Sequence, residues 1–64
     1  MKWTDSREIA EKLFDLNPEL DPKAIRFTDL FKWIIELEGF DDDHSKCGER
    51  LLEGIQLAWI DEYE

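Results

Sequence analysis

Residues 17–29 read Asn-Pro-Glu-Leu-Asp-Pro-Lys-Ala-Ile-Arg-Phe-Thr-Asp, and this stretch decides the fold. Pro18 ends whatever helix precedes it, because the residue before a proline disfavours the α region. Asp21-Pro22 is an N-cap followed by proline at the first helical position, where the missing N–H costs nothing. Lys23, Ala24 and Ile25 complete one short turn, and Arg26-Phe27 reads as extended. Thr28 is then the expected cap of a second long helix. A helix, a short helical turn and a longer helix is the spacing of a helix-turn-helix.

Working outward, a first helix is predicted from Ser6 to Leu16, with Ile9, Ala10, Leu13 and Leu16 on one apolar face. Asp5 at the N-cap and Glu8 three residues on make a pair like a capping box. The second long helix is predicted over Asp29 to Glu38. Leu30, Trp33, Ile34 and Leu37 form its core face, widened by Phe31 and Ile35. Gly39 then suits a left-handed C′ position. After the charged connection Phe40-Asp41-Asp42-Asp43-His44, a third helix is predicted from Lys46 or Cys47 to Glu62. Its core face is Leu51, Leu52, Ile55, Ala58, Trp59 and Ile60. Gly54 inside it costs roughly 1 kcal/mol against Ala, for which close approach of another helix is one reason. The expected fold class is all-α: one domain over residues 1–64, a small three-helix domain of modified winged-helix or helix-turn-helix type. A plain three-helix bundle is the alternative.

The chain has 64 residues with 8 Lys and Arg against 17 Asp and Glu, a net charge of −9. A chain this short buries only roughly 60% of the surface that its unfolded form exposes. Its single Cys cannot form an intramolecular disulfide. Hydrophobic content of 42%, with three Trp and four Phe, is too high for a disordered acidic tail. No apolar run approaches the ~20 residues of a membrane span, and the N-terminus lacks the apolar core of a signal peptide. The expected setting is cytoplasmic and reducing. The charge disfavours phosphate backbones and anionic membranes and favours basic protein surfaces and cations.

Asp5, Glu8, Glu11 and Asp15 are spaced 3, 3 and 4 apart and line up along one side of the first helix. Neighbouring carboxylates can share a hard cation such as Mg, Ca, Mn or iron. They also have structural uses: Asp5 and Glu8 suit a helix N-terminus, and Arg7–Glu11 and Glu8–Lys12 can pair. Asp41-Asp42-Asp43 fails as a calcium loop. No register offers both Gly at position 6 and Glu at position 12, so a solvated loop with one Asp capping the third helix is the simpler reading. The terminal Asp61-Glu62-Tyr63-Glu64 is acidic at the wrong end of a helix for its dipole. His44 and Cys47 are too few for a zinc site. As a catalytic pair they lack a supporting His. Trp3, Trp33 and Trp59 read as core or core-edge residues.

These blocks together resemble the IscX family. The resemblance is carried by Lys2-Trp3-Thr4-Asp5, Glu8-Ile9, Asp21-Pro22, Arg26-Phe27-Thr28-Asp29-Leu30, Trp33-Ile34, Phe40-Asp41-Asp42-Asp43 and Trp59-Ile60-Asp61-Glu62. It implies a small acidic component of bacterial iron–sulfur cluster assembly with a modified winged-helix fold. It also implies binding to the cysteine desulfurase IscS and weak iron binding through surface carboxylates. The implied role is that of an adaptor or regulator, as iron donor or sensor, comparable to frataxin. The chain departs from the family's usual residues in three places: Phe31 replaces His, His44 replaces Pro, and Cys47-Gly48 replaces Ser-Asn.

The expected function is therefore an acidic adaptor without enzymatic activity or organic cofactor. Asp5, Glu8, Glu11 and Asp15 are the candidate iron ligands and the main docking stripe. Asp29, Asp41, Asp42, Asp43, Asp61, Glu62 and Glu64 extend the acidic surface. The partner is a basic patch of the desulfurase, not nucleic acid or membrane, and a monomer is expected. The competing readings are an acidic DNA mimic that inhibits a basic protein and a helix-turn-helix regulator. In the latter, Asp29, Lys32, Glu36 and Glu38 on the would-be recognition helix carry the wrong sign for DNA.

Overall fold

The computed structural model describes all residues from Met1 to Glu64. Three α-helices make the fold: α1 (Ser6–Leu16), α2 (Phe27–Ile35) and α3 (Glu49–Tyr63). Single 3₁₀ turns at Pro22–Ala24 and His44–Lys46 lie between them, and there is no β-strand. The all-α expectation holds, and α1, the Pro22–Ala24 turn and α2 follow the predicted order. Nothing forms a two-stranded wing.

The bounds of α1 are those predicted, because its apolar spacing and Asn17-Pro18 both limit it locally. Ile9, Ala10 and Leu13 are buried. Leu16 is not: it is 67% exposed, since nothing packs over the end of the apolar stripe. Asp5 stands at the N-cap, yet its side chain caps nothing in the helix. The chain before it folds back, and Lys2 N–H donates to Asp5 Oδ2 at 2.8 Å. The Asp21-Pro22 turn forms as predicted, with Lys23 N–H donating to Asp21 Oδ1 at 2.9 Å.

Helix α2 begins at Phe27, ahead of the expected Thr28 cap, with extended Arg26 at its N-cap. It ends at Ile35 rather than Glu38. Two successive i→i+3 turns follow, Leu37 N–H to Ile34 O and Phe40 N–H to Leu37 O, and they bury Leu37. Gly39 does take a positive φ of 90°, but in the second of these turns rather than at a helix C′. The start of α3 also moves. Asp43 caps the His44–Lys46 turn through Ser45, not the long helix, and extended Gly48 becomes the N-cap of α3.

Ten side chains form the core: Trp3, Ile9, Ala10, Leu13, Leu30, Ile34, Leu37, Leu52, Ile55 and Trp59. Helices α1 and α3 share the largest packed face. Gln56 of α3 donates from Nε2 to Pro22 O at 2.9 Å, fixing the short turn against α3. Trp3 and Trp59 are fully buried, while Trp33 is half-buried at the core edge. Trp33 meets Trp59 edge to face at 6.3 Å. The buried Trp59 Nε1–H has no hydrogen-bond acceptor.

Trp3 joins the N-terminal segment to the rest. Its ring stacks on Phe31 at 5.7 Å and meets Phe40 edge-on at 4.7 Å. Its Nε1–H donates to Asp43 O at 2.8 Å, and its backbone N–H donates to Asp42 Oδ2 at 3.0 Å. Truncating a buried Trp costs about 3–5 kcal/mol. A domain of this size holds only roughly 3–10 kcal/mol in total. Trp3→Ala should therefore leave much of the population unfolded at 25 °C in urea titration, whereas Trp3→Phe should remain folded with a lower midpoint.

Gly54 does not serve the close helix approach that its position suggested, because a Cβ placed there meets nothing within 4 Å. Gly54→Ala should stabilise the domain by about 0.5–1 kcal/mol through helix propensity alone. That gain would raise the melting temperature by several degrees, as read by circular dichroism.

Candidate functional site

The acidic residues fall into two populations. In the first, each carboxylate has an internal partner. Asp41 Oδ1 accepts from the Met1 ammonium at 3.1 Å and lies 3.4 Å from Lys2 Nζ. Asp42 accepts from the Trp3 and Asp43 backbone N–H groups. Asp43 Oδ1 accepts from both the N–H and the hydroxyl of Ser45. Asp61 and Glu62 both meet Arg7, at 3.1 and 2.9 Å, and Glu64 meets Lys23 at 3.0 Å.

The shifts in proton affinity follow these partners. The terminal ammonium and Lys2 lower the Asp41 pKa from its ordinary 3.8. Donated backbone N–H groups lower Asp42, and Ser45 lowers Asp43. The hydrogen bonds that Arg7 donates to Glu62 and then Asp61 raise its pKa, and the one that Lys23 donates to Glu64 raises the Lys23 pKa. The acids at the C-terminal end of α3 are thus offset by Arg7, which the packing of α1 on α3 brings across to them.

The second population has no ion pair or side-chain hydrogen bond in the structure. Of the expected site residues it contains Glu8, Glu11, Asp15 and Asp29, all exposed. At 3.6 residues per turn, Glu8, Glu11 and Asp15 fall within roughly 60° of one another, opposite buried Ile9 and Leu13. They form the outward ridge of α1. Asp5 leaves this ridge, its carboxylate already accepting from Lys2 N–H. Asp29 stands apart in the first turn of α2, where the helix dipole favours it.

No three His, Cys, Asp or Glu side chains converge to enclose one metal ion. A polar hollow lined by Thr4, Asp5, Ser6, Arg7, Glu8 and Glu11 holds Arg7 along with its carboxylates. The ridge offers hard oxygen donors one turn apart, which suits loose attachment of a hard cation rather than a closed site.

The four residues that depart from the family pattern share one groove. Phe31, His44, Cys47 and Gly48 line it together with Phe27 and Leu52. His44 meets Phe31 edge-on at 6.2 Å. Burial pushes the Cys47 thiol pKa upward, the opposite of an activated nucleophile.

Sequence reasoning missed two things here. Gln56 gave no signal, because a glutamine on a helix face is unremarkable until a carbonyl lies opposite. The attachment of Asp42 and Asp43 to Trp3 spans about 40 positions, and no local pattern encodes it.

The whole chain, residues 1–64, matches the family described as iron–sulphur cluster assembly. An uncharacterized protein of Pseudomonas aeruginosa is 50% identical over 62 residues, which cover 97% of this chain and 94% of the relative. No helix is long and apolar enough to cross a membrane.

The lowered Asp41, Asp42 and Asp43 pKa values fix the sign of an acid effect. A carboxylate held below its unfolded value stabilises the fold above that value and loses the contribution as pH falls through the folded one. The attachment of the Trp3 segment should therefore be intact above about pH 4 and weaken below the ordinary 3.8. Melting temperature followed by Trp fluorescence should fall in that window. The triple variant Asp41→Asn, Asp42→Asn, Asp43→Asn should melt lower at neutral pH and show a shallower fall.

Proposed function

We propose, from the premise that the chain belongs to the iron–sulphur cluster assembly family, the IscX/YfhJ family, that it is an acidic adaptor docking on a basic patch of the cysteine desulfurase IscS. The observation that carries this reading is the set of unpaired carboxylates Glu8, Glu11 and Asp15 on the outward ridge of α1. Carboxylates already paired inside the molecule offer little to a partner, since each existing ion pair must first be broken. Unpaired ones project their full field. In a chain of net charge −9 that field steers a cationic surface toward α1 and raises the association rate more than the final affinity. Asp29 adds to it from α2. Asp41, Asp42, Asp43, Asp61, Glu62 and Glu64 contribute through the overall charge, while their side chains hold the fold.

Iron fits this reading as cargo. Glu8 and Glu11, one turn apart, supply oxygen donors to Fe²⁺, with Asp15 a further turn along. With so few protein ligands the metal keeps much of its water shell and exchanges readily. That favours sensing or delivery over storage. The protein works by presenting charge, so its role is regulation of the assembly reaction rather than catalysis.

Glu8→Lys with Glu11→Lys changes the net charge from −9 to −5, two units per reversal, without touching a buried side chain. The double variant should keep the helical circular dichroism of the parent. It should lose at least about tenfold in association rate to purified IscS at low ionic strength. Raising salt should weaken the parent strongly and the variant little, because the Debye length shrinks below ≈ 8 Å. A folded double variant that binds like the parent overturns the reading. Anaerobic titration with Fe²⁺ should give weak binding to the parent and weaker binding to Glu8→Gln with Glu11→Gln.

A further inference from the structure

We infer that Leu16 is the apolar anchor of the acidic docking face, seating in an apolar hollow of the partner rimmed by Lys or Arg. This rests on the docking reading above and names the contact that would hold the complex once charge has brought it together. Leu16 is the last residue of α1 and is 67% exposed, the largest exposure of any large hydrophobic side chain here. It continues the apolar stripe of Ile9 and Leu13 beyond the point where the core stops covering it.

Its surroundings separate it from an ordinary surface leucine. Leu16 borders two adjoining concavities, of about 530 and 210 Å³. One continues along Asn17, Pro18 and Leu20, and the other reaches Leu37 across the mouth of α1. Carboxylates frame both: Glu19 on one side, Asp15 and Glu38 on the other, with Lys12 the single cation. None of these three acids has an ion pair or side-chain hydrogen bond. An apolar knob framed by free anions is complementary to an apolar hollow framed by cations. Such a centre, desolvated on contact and shielded by a charged rim, is where binding energy concentrates. Of the ridge acids, Asp15 lines the second concavity, so the ridge of Glu8, Glu11 and Asp15 meets the frame of Leu16 at the C-terminal end of α1. Charge and anchor adjoin there.

The two halves separate kinetically, because rim charges act on association and a buried anchor acts on dissociation. The test measures association and dissociation of immobilised IscS with the parent, Leu16→Ser and Leu57→Ser. Leu57 is the control, 59% exposed on α3 and outside both concavities. Leu16→Ser should dissociate about tenfold faster, with association rate and salt dependence unchanged. Leu57→Ser should match the parent. Both variants should keep the parent melting temperature, since neither side chain belongs to the core. Parent binding with an unchanged Leu16→Ser dissociation rate, or an equal loss in Leu57→Ser, overturns the anchor and leaves the docking reading standing. No parent binding at any salt overturns both.

Discussion

Everything in this molecule depends on how one indole near the N-terminus is held. Trp3 brings a large apolar ring and one N–H that must find an acceptor when buried. The connection between α2 and α3 supplies both requirements. Phe31 and Phe40 take the ring, the Asp43 carbonyl takes the indole proton, and the Asp42 carboxylate takes the backbone proton. The bond joins positions 40 apart in a chain of 64. Small domains commonly need a disulfide or a metal for such a closure. Here a buried aromatic and a run of aspartates serve the purpose, and the N-terminal segment becomes a strap across the domain.

The acidity of the chain follows from the same economy. Four of the eight cationic side chains, Lys2, Arg7, Lys23 and Lys46, sit against acids that hold the strap, the α2–α3 connection and the end of α3. The remaining carboxylates are spread over the surface, and Glu8, Glu11 and Asp15 on α1 are the group that shares one helix ridge. A surplus of one sign destabilises a compact state through self-repulsion. On the docking reading, a cationic partner would relieve part of that repulsion along the α1 ridge.

What was legible in the sequence was what local chemistry decides. Asn17-Pro18 and the apolar spacing bounded α1, and Asp21-Pro22 specified its turn. The errors came where another contact overrode the local preference. Thr28 is a better intrinsic cap than Arg26, yet α2 begins at Phe27, its first turn closed by Leu30 N–H donating to Arg26 O at 2.9 Å. Asp5 is an excellent cap in isolation, but the strap claims its carboxylate. Leu16 has the right phase for the core, and only the end of the packed layer leaves it outside. Of the expected site, Glu8, Glu11 and Asp15 were legible because helical phase alone places them. The structural use of Asp41 to Asp43 was not, because their partner is Trp3.

Helix α1 has two faces that share no residue. Ile9, Ala10 and Leu13 hold the core, and Glu8, Glu11 and Asp15 are exposed and make no ion pair or side-chain hydrogen bond. Substitutions on the outer ridge therefore meet no stability threshold. On the docking reading only the partner constrains the ridge, so recognition can be retuned while the inner face stays fixed. Divergence among relatives should concentrate on that ridge whenever the partner's surface changes, and the two proteins would then coevolve through charge while each fold remains as it was.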